Sequence, residues 1–235
     1  MQMLKTLDVD SIDVPEQIPH GDMPGDGVTI GEENIRRAKT VLSAIRGTLE
    51  RRLSENASGR VVIGVCGGSG SGKTVMASVL GYALNQMGVG AYIMSGDNYP
   101  RRIPAVNDAE RLHLFRVGGL RGLLASGEST ADKAVVLREL WLADTDAEPE
   151  TAQKLPWMQI YQQAGAQALT AYLGTPEEID FDEVNDIIAR FKRGENHIPL
   201  KRMGREETAL WYETMDFTAT RVMVIEWTHA NSDFL

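Results

Sequence analysis

One short segment constrains the fold of this chain more than any other. Residues 60–74 read RVVIGVCGGSGSGKT, an apolar run that ends in a cluster of glycines followed by lysine and threonine. RVVIGVC is apolar on both faces, which predicts a central strand of a parallel sheet. KTVMASVLGYALNQM then predicts a helix with Gly88 as its C-terminal cap, and GAYIMSGD predicts a second buried strand. The segment therefore predicts the strand-loop-helix-strand unit of an α/β fold.

The glycine cluster fits the P-loop pattern G-x-x-x-x-G-K-[ST], in which inward-pointing backbone N–H groups and a helix N-terminus bind phosphate. Lys73 is expected to reach the β- and γ-phosphates and to take part in catalysis, and the Thr74 hydroxyl to bind Mg²⁺. A glycine turn without a ligand is the alternative, but the strand before the loop and the helix after it favour a nucleoside triphosphate site. The predicted cofactor-binding residues are Gly68, Ser69, Gly70, Ser71, Gly72, Lys73 and Thr74.

Two carboxylates follow the other predicted buried strands. Asp97 lies in SGDNYPRR after the second strand, where it could accept a proton from a substrate hydroxyl; the alternative is an Asx-type turn before Pro100. Glu226 ends the third strand, TRVMVIEW, at the position of a Walker-B acid that holds Mg²⁺. The alternative is a surface carboxylate at a strand end. Weaker candidates for substrate contacts are Tyr99, Arg101, Arg102, Arg202 and Arg205.

The remaining segments suggest one domain with an insertion. Residues 1–31 are rich in proline, glycine and aspartate and predict an extended arm. Residues 32–235 are expected to form the P-loop domain, beginning with an amphipathic helix over residues 32–53. Residues from about 103 to 173 predict a helical insertion, and DFDEVNDIIARFKRG predicts a further amphipathic helix after it.

Composition limits the partners of the chain. The 235 residues carry a net charge of −9, which disfavours nucleic-acid backbones and anionic membrane surfaces as general partners. One cysteine excludes an intrachain disulfide, no signal-peptide pattern opens the sequence, and no apolar run is long enough to cross a membrane. We therefore expect a cytoplasmic protein.

With these three sites in this order, the chain resembles the uridine kinase and phosphoribulokinase family of P-loop kinases over roughly residues 60–102 and 174–230. VIGVCGGSGSGKT is similar to the family's opening strand and loop, and MSGDNYPRR to its S-x-D-x-F/Y-Y/H-R segment, whose aspartate is the catalytic base. Residues 174–200 resemble its H-P-x-A-x-D-F-D segment, and VMVIEWTHA resembles V-V-I-x-E-G-I-L-A. The resemblance implies a three-layer α/β sandwich of the P-loop NTPase type, ATP and Mg²⁺ as cofactors, and Asp97 as base.

The chain departs from this family in two places. The family's nucleoside-contacting P-x-Y-D-x-x-x-x-x-R is here IPLKRMGREET, with Lys201 and Arg202 in place of tyrosine and aspartate. This change argues against a nucleoside acceptor and leaves a more anionic one open. The family also continues after the Glu226 strand with two strands and an arginine-bearing lid. We therefore expect a sheet incomplete at its C-terminus, in a truncated chain or with a second chain covering strand 60–66.

These patterns predict an ATP-dependent kinase that phosphorylates a hydroxyl group of a small metabolite, whose identity and oligomeric partners the sequence leaves open. The second hypothesis is a nucleotide-binding regulatory or assembly module without transfer activity, or a truncated inactive kinase. A GTPase switch is a weaker third hypothesis because the sequence lacks the guanine-reading N-K-x-D motif.

Overall fold

The computed structural model describes residues 13–19, 21–22, 27–203 and 210–235. Contacts divide the chain into two units, Met1–Pro100 with Asp180–Leu235, and Arg101–Ile179. The strands are β1 (Gln17–Ile18), β2 (Val28–Thr29), β3 (Val61–Val65), β4 (Ala91–Ser95), β5 (His197–Met203), β6 (Leu210–Asp216) and β7 (Val222–Glu226). The helices are α1 (Glu32–Glu55), α2 (Lys73–Gln86), α3 (Pro104–Ala125), α4 (Ala131–Leu142), α5 (Pro149–Lys154), α6 (Met158–Tyr172) and α7 (Phe181–Lys192).

The first unit is built around a parallel sheet with the strand order β3-β7-β4. All five residues of β7 are buried, because this strand has a neighbour on each side and is covered on both faces. The sequence analysis predicted a central strand from the apolar faces of RVVIGVC, and an uncovered edge if the family's later strands are missing. In the described part of the chain, β3 lies at an edge of this sheet. That a second chain covers this edge stays a prediction.

Helices α1 and α2 form the core of the first unit with the sheet. One stripe of α1 is buried, whereas α2 is buried over most of its circumference because it lies between α1 and the strands. Gly88 ends α2 as predicted: its φ is 69°, and the Val89 N–H donates to the Leu84 carbonyl at 3.0 Å. Together with the bond from Gly88 to Asn85, this is a Schellman motif, which requires a residue that tolerates positive φ.

Two antiparallel pairs complete the first unit. β1 and β2 pair within the segment predicted to be an extended arm. β5 and β6 pair from His197 opposite Asp216 to Met203 opposite Leu210. β5 is mostly buried and β6 is mostly exposed. The sequence analysis did not predict β6, because LWYETMD lacks the apolar-polar alternation that identifies a half-buried strand.

The second unit consists of helices α3 to α6, and α3 and α6 pack closely against each other. Glycines on α3 face α6 directly: a Cβ atom at Gly118 would lie 2.4 Å from the Ala168 methyl group, and one at Gly119 would lie 2.4 Å from the Tyr161 ring. Residues of this size let helix backbones approach each other, and the interior has no room for more atoms. None of the described helices in either unit is both long and apolar enough to span a membrane.

A buried carboxylate ties this helical unit together. The Asp146 side chain accepts hydrogen bonds from the Tyr161 hydroxyl at 2.8 Å and from the Arg116 guanidinium at 2.8 Å. The Trp141 indole N–H in turn donates to the Tyr161 hydroxyl at 2.8 Å. A buried charge is tolerated when it is paired and hydrogen-bonded in this way.

Replacing Gly119 with alanine should destabilise the chain by about 1–3 kcal/mol, because the new methyl group would overlap the fully buried Tyr161 ring. Gly47→Ala is the matched control, since Gly47 lies inside helix α1 with nothing within 4 Å of its Cβ position. That change should stabilise the chain by about 0.5–1 kcal/mol. Urea unfolding measures both, and equal effects of the two substitutions would contradict the packing argument.

Candidate active site

The register of the parallel sheet brings three sequence features to one edge. Glu226, the last residue of β7, is level with Val65 at the end of β3 and with Ser95 at the end of β4. β3 continues into the glycine loop, and β4 continues into a 3₁₀ turn, Gly96–Asn98, that carries Asp97. The carboxyl edge of a parallel sheet is where α/β proteins bind ligands. The loop and both predicted carboxylates therefore lie on the edge that this class of fold uses for chemistry.

The glycine loop has the backbone conformation that the motif predicts. Gly70 and Gly72 have φ values of 73° and 84°, which only glycine adopts without strain. Gly72 then directly precedes α2, which begins at Lys73. The Lys73 ammonium donates to the Gly68 carbonyl at 3.1 Å, so its charge lies against the loop. The loop thus presents a helix N-terminus and a cation on the same side, which suits a bound phosphate.

A small cleft joins the start of α2 to the strand ends. Thr74 and Ser78 from α2 line it, together with Ser95 and Glu226. Its volume of about 10 Å³ is close to the space needed for one water molecule or a small ion. The Ser78 hydroxyl is buried there and has no hydrogen-bond partner among the residues described. An unpaired buried hydroxyl is costly, and a water molecule or a small ion in the cleft would give it a partner.

The oxygen donors of this cleft fit Mg²⁺. Mg²⁺ is usually held by one or two carboxylates, substrate phosphates and water, and the cleft offers the Thr74 hydroxyl and the buried Glu226 carboxylate. The part of the chain that the structure describes has no cluster of three or more His, Cys, Asp or Glu side chains able to hold a metal by itself. The site therefore suits an ion that arrives with a nucleotide better than a permanently bound metal.

Asp97 is an exposed carboxylate on a hydrogen-bonded turn. The Asp97 N–H donates to the Ser95 hydroxyl at 3.4 Å, and the Tyr99 N–H donates to the Gly96 carbonyl at 3.0 Å. The Asp97 carboxylate makes no hydrogen bond or ion pair to any described residue. The alternative of an Asx-type turn needs the aspartate side chain as the cap, whereas here the Ser95 side chain caps the turn. The carboxylate is therefore available to a substrate.

Trp227 holds this turn against the central strand. A Cβ atom at Gly96 would lie 2.0 Å from Cγ of the Trp227 ring, so the turn packs directly on the indole face. Trp227 follows Glu226 and is 2% exposed. The contact fixes the position of Asp97 relative to Glu226, and sequence reasoning missed it because nothing in GDN or EWT reveals that they meet.

The weaker candidates for substrate contacts have other partners. Tyr99 is fully buried, and burial raises the pKa of its hydroxyl, which contacts the Met94 sulfur at 3.8 Å. Arg101 and Arg102 belong to the helical unit. There, Arg101 donates to the Pro176 carbonyl, and Arg102 donates to the Tyr172 hydroxyl at 2.8 Å. Arg205 lies outside the described residues.

The two cations that distinguish IPLKRMGREET are paired with carboxylates. The Lys201 ammonium lies 2.7 Å from a Glu183 carboxylate oxygen and is 7% exposed. The Arg202 guanidinium lies 2.8 Å from an Asp22 carboxylate oxygen and 3.3 Å from one of Glu213. Since their charge is already balanced, these residues give little support to the alternative of a more anionic acceptor.

Glu183, the partner of Lys201, also affects the pKa of a neighbouring tyrosine hydroxyl. Burial and a hydrogen bond to Glu183 raise the pKa of Tyr212 to about 12. The Tyr212 hydroxyl is protonated at neutral pH with or without this shift, so it can act as a hydrogen-bond donor.

Comparison with known proteins finds one informative relative. The chain is 38% identical over 181 residues to a bifunctional alpha-galactosidase/sucrose kinase of Mediterraneibacter gnavus. The match covers 77% of this chain and 14% of that much longer protein. No protein family description matches the chain, and no solved structure matches it. The finer resemblance to uridine kinases and phosphoribulokinases stays a prediction.

Gly96→Ala should destabilise the chain by about 1–3 kcal/mol, because the new methyl group must displace either the turn or the buried Trp227 ring. The double variant Gly96→Ala/Trp227→Leu removes the ring that the methyl group meets. It should therefore be less destabilised than the sum of its two single variants when all are unfolded in urea. Strictly additive free energies would show that Gly96 and Trp227 act independently.

Proposed function

We propose that this chain is a P-loop kinase that transfers the γ-phosphoryl group of ATP to a hydroxyl of a sugar. The observation that carries the proposal is the register that makes Glu226 level with Val65 and Ser95. It brings the glycine loop, an acid suited to Mg²⁺ and the turn with the exposed Asp97 carboxylate to one edge. Phosphoryl transfer needs a phosphate cradle, charge neutralisation and a group that orients the attacking oxygen.

In this proposal each residue has a defined task. The backbone of residues 68–72 and the N-terminus of α2 bind the β- and γ-phosphates, and Lys73 leaves the Gly68 carbonyl to contact them. Thr74 and Glu226 hold Mg²⁺, which neutralises charge on the phosphates when bound. Asp97 accepts the proton of the sugar hydroxyl. At the same time the sugar oxygen bonds to the γ-phosphorus, and the bond from phosphorus to the leaving ADP oxygen breaks.

A sugar acceptor is supported by the relative. Its name gives two activities, and the residues of this chain fit the kinase activity. Hydrolysis of a galactoside commonly uses two carboxylates that flank the scissile bond and needs no triphosphate. A glycine loop with a lysine and a hydroxyl at its end instead serves nucleotide chemistry. Because the chain spans only 14% of the relative, sucrose is a proposal for the acceptor and not a transferred property.

The electrostatics of the first unit also favour a neutral acceptor. The buried cations Lys201 and Arg202 are balanced by carboxylates. Neither of these two cations is therefore unpaired, and the Asp97 carboxylate and the hydroxyl groups at the strand ends remain as polar groups for an acceptor. A polyhydroxyl compound supplies the donors and acceptors that such groups bind, whereas a phosphorylated compound would need free cations.

The test measures ADP formation by the purified chain with ATP and Mg²⁺, using sucrose, glucose, fructose, galactose and uridine in turn. We expect sugar-dependent ADP formation, with sucrose as the best acceptor. Asp97→Asn should lower kcat by about 10²–10⁴-fold without weakening ATP binding, because only the proton acceptor is lost. Asp186→Asn, which changes a carboxylate that is 61% exposed on α7, is the matched control and should leave kcat unchanged.

Two results would contradict parts of the proposal. Equal kcat for the wild type and Asp97→Asn would exclude Asp97 as the base. Tight binding of Mg–ATP without turnover on any sugar would favour the alternative of a nucleotide-binding module. Lys73→Met tests the glycine loop in either case, because it should abolish ATP binding if this loop is the nucleotide site.

A further inference from the structure

Asp22, from the N-terminal arm, sits at the junction of β4 and the β5–β6 hairpin. One carboxylate oxygen accepts a hydrogen bond from the Ser95 N–H at 2.7 Å. The other accepts hydrogen bonds from the Arg202 guanidinium at 2.8 Å and from the Tyr92 hydroxyl at 3.2 Å. Arg202 also donates to the Tyr92 hydroxyl at 2.7 Å, which closes the network. A single residue of the arm thus joins the end of one strand to the neighbouring hairpin.

Burying this network costs desolvation free energy, because it removes two charged side chains from water. The side chains of Asp22 and Arg202 are only 3% and 5% exposed. Desolvation raises the pKa of Asp22, although the Ser95 amide and Arg202 both favour its charged form. Replacing a buried ion pair by apolar residues is often neutral or stabilising. Stability alone is therefore a weak reason for this pair, and its location suggests another one.

The Asp22 network lies one hydrogen bond away from the turn that carries the proposed base. Ser95 donates its N–H to Asp22 and accepts the N–H of Asp97 with its hydroxyl. Asp22 also lines the small cleft that Thr74 and Glu226 share. Its carboxylate is therefore connected to the turn through Ser95 and lies beside the proposed magnesium ligands.

We propose that Asp22 is a positioning residue for phosphoryl transfer: it fixes Ser95, and through Ser95 the Asp97 turn, relative to the glycine loop and the hairpin. We assign Asp22 no contact with the reacting atoms, because its two oxygens already accept hydrogen bonds from Ser95, Tyr92 and Arg202. The inference rests on the proposed function, in which Asp97 is the base. It adds that the N-terminal arm belongs to the catalytic apparatus and is not only a covering segment.

The experiment combines hydrogen exchange with kinetics. In Asp22→Ala, the amides of Ser95 and Asp97 should exchange roughly 10- to 100-fold faster, because a hydrogen bond to a carboxylate is lost and the turn loosens. The kcat for sugar phosphorylation should fall by about tenfold or more, while KM for ATP stays unchanged, since a displaced base impairs transfer and not nucleotide binding. A general loss of stability would not separate kcat from KM in this way.

Two further variants keep the test decisive. Glu213→Ala removes the other carboxylate that pairs with Arg202. The Glu213 side chain is 58% exposed, so this change should leave kcat and the amide exchange of Ser95 and Asp97 unchanged. Asp22→Ala leaves Arg202 buried without a counter-ion and could fail to fold for that reason alone. The double variant Asp22→Ala/Arg202→Met removes both charges, and it should fold and show the same fast exchange and low kcat.

The outcomes separate this inference from the proposed function. Unchanged amide exchange at Ser95 and Asp97 in the folded Asp22 variants overturns the inference about Asp22. Faster exchange with unchanged kcat overturns it too. An equal effect of Glu213→Ala overturns it as well. If the wild type phosphorylates no acceptor, the proposed function fails, and with it the kinetic part of the inference. Hydrogen exchange then still decides whether Asp22 fixes the turn.

Discussion

The placement of β7 between β3 and β4 is the constraint on which the site depends. Backbone pairing sets Glu226 level with Val65 and Ser95, and it continues one residue further, where the Trp227 N–H donates to the Val65 carbonyl at 3.0 Å. Strand register is fixed by many hydrogen bonds at once, so the ends of the three strands cannot shift separately. The glycine loop, the Glu226 carboxylate and the Asp97 turn inherit their relative positions from this pairing and need few direct contacts with one another.

Local structure could be predicted from the sequence, because its causes are local. The apolar runs and helical spacing predicted β3, β4, β7, α1, α2 and α7 to within a few residues of their observed ends, and Gly88 predicted how α2 terminates. The order of the strands was not predictable in the same way. An apolar run such as RVVIGVC fits a central strand as well as an edge strand covered on its faces, and only the pairing of distant segments distinguishes the two positions. The exposed strand β6 has no periodic signal at all.

The candidate site likewise contains residues that local sequence identifies and residues that only long-range contacts reveal. The glycine loop is a contiguous motif whose residues bring their own conformation, and Asp97 and Glu226 are identified by the strands they follow. Asp22 and Trp227 act through contacts with residues far along the chain, which no spacing rule reveals. Lys201 and Arg202 show the opposite error: charge read from the sequence suggested an anionic ligand, but folding supplies the counter-charges from within the chain. A buried cation predicts an anionic ligand only after its internal partners are known.

The connection to the helical unit explains how the sheet edge tolerates so large an insertion. The chain leaves the first unit directly after Tyr99 and Pro100 and returns at Asp180, whose N–H donates to the Tyr99 carbonyl at 2.9 Å. Asp180 then caps the first turn of α7 with its side chain. Exit and return are thus joined within the first unit, so the insertion closes a loop whose ends the fold already holds together. The segment that follows the Asp97 turn is therefore held within the first unit at the point where the insertion begins.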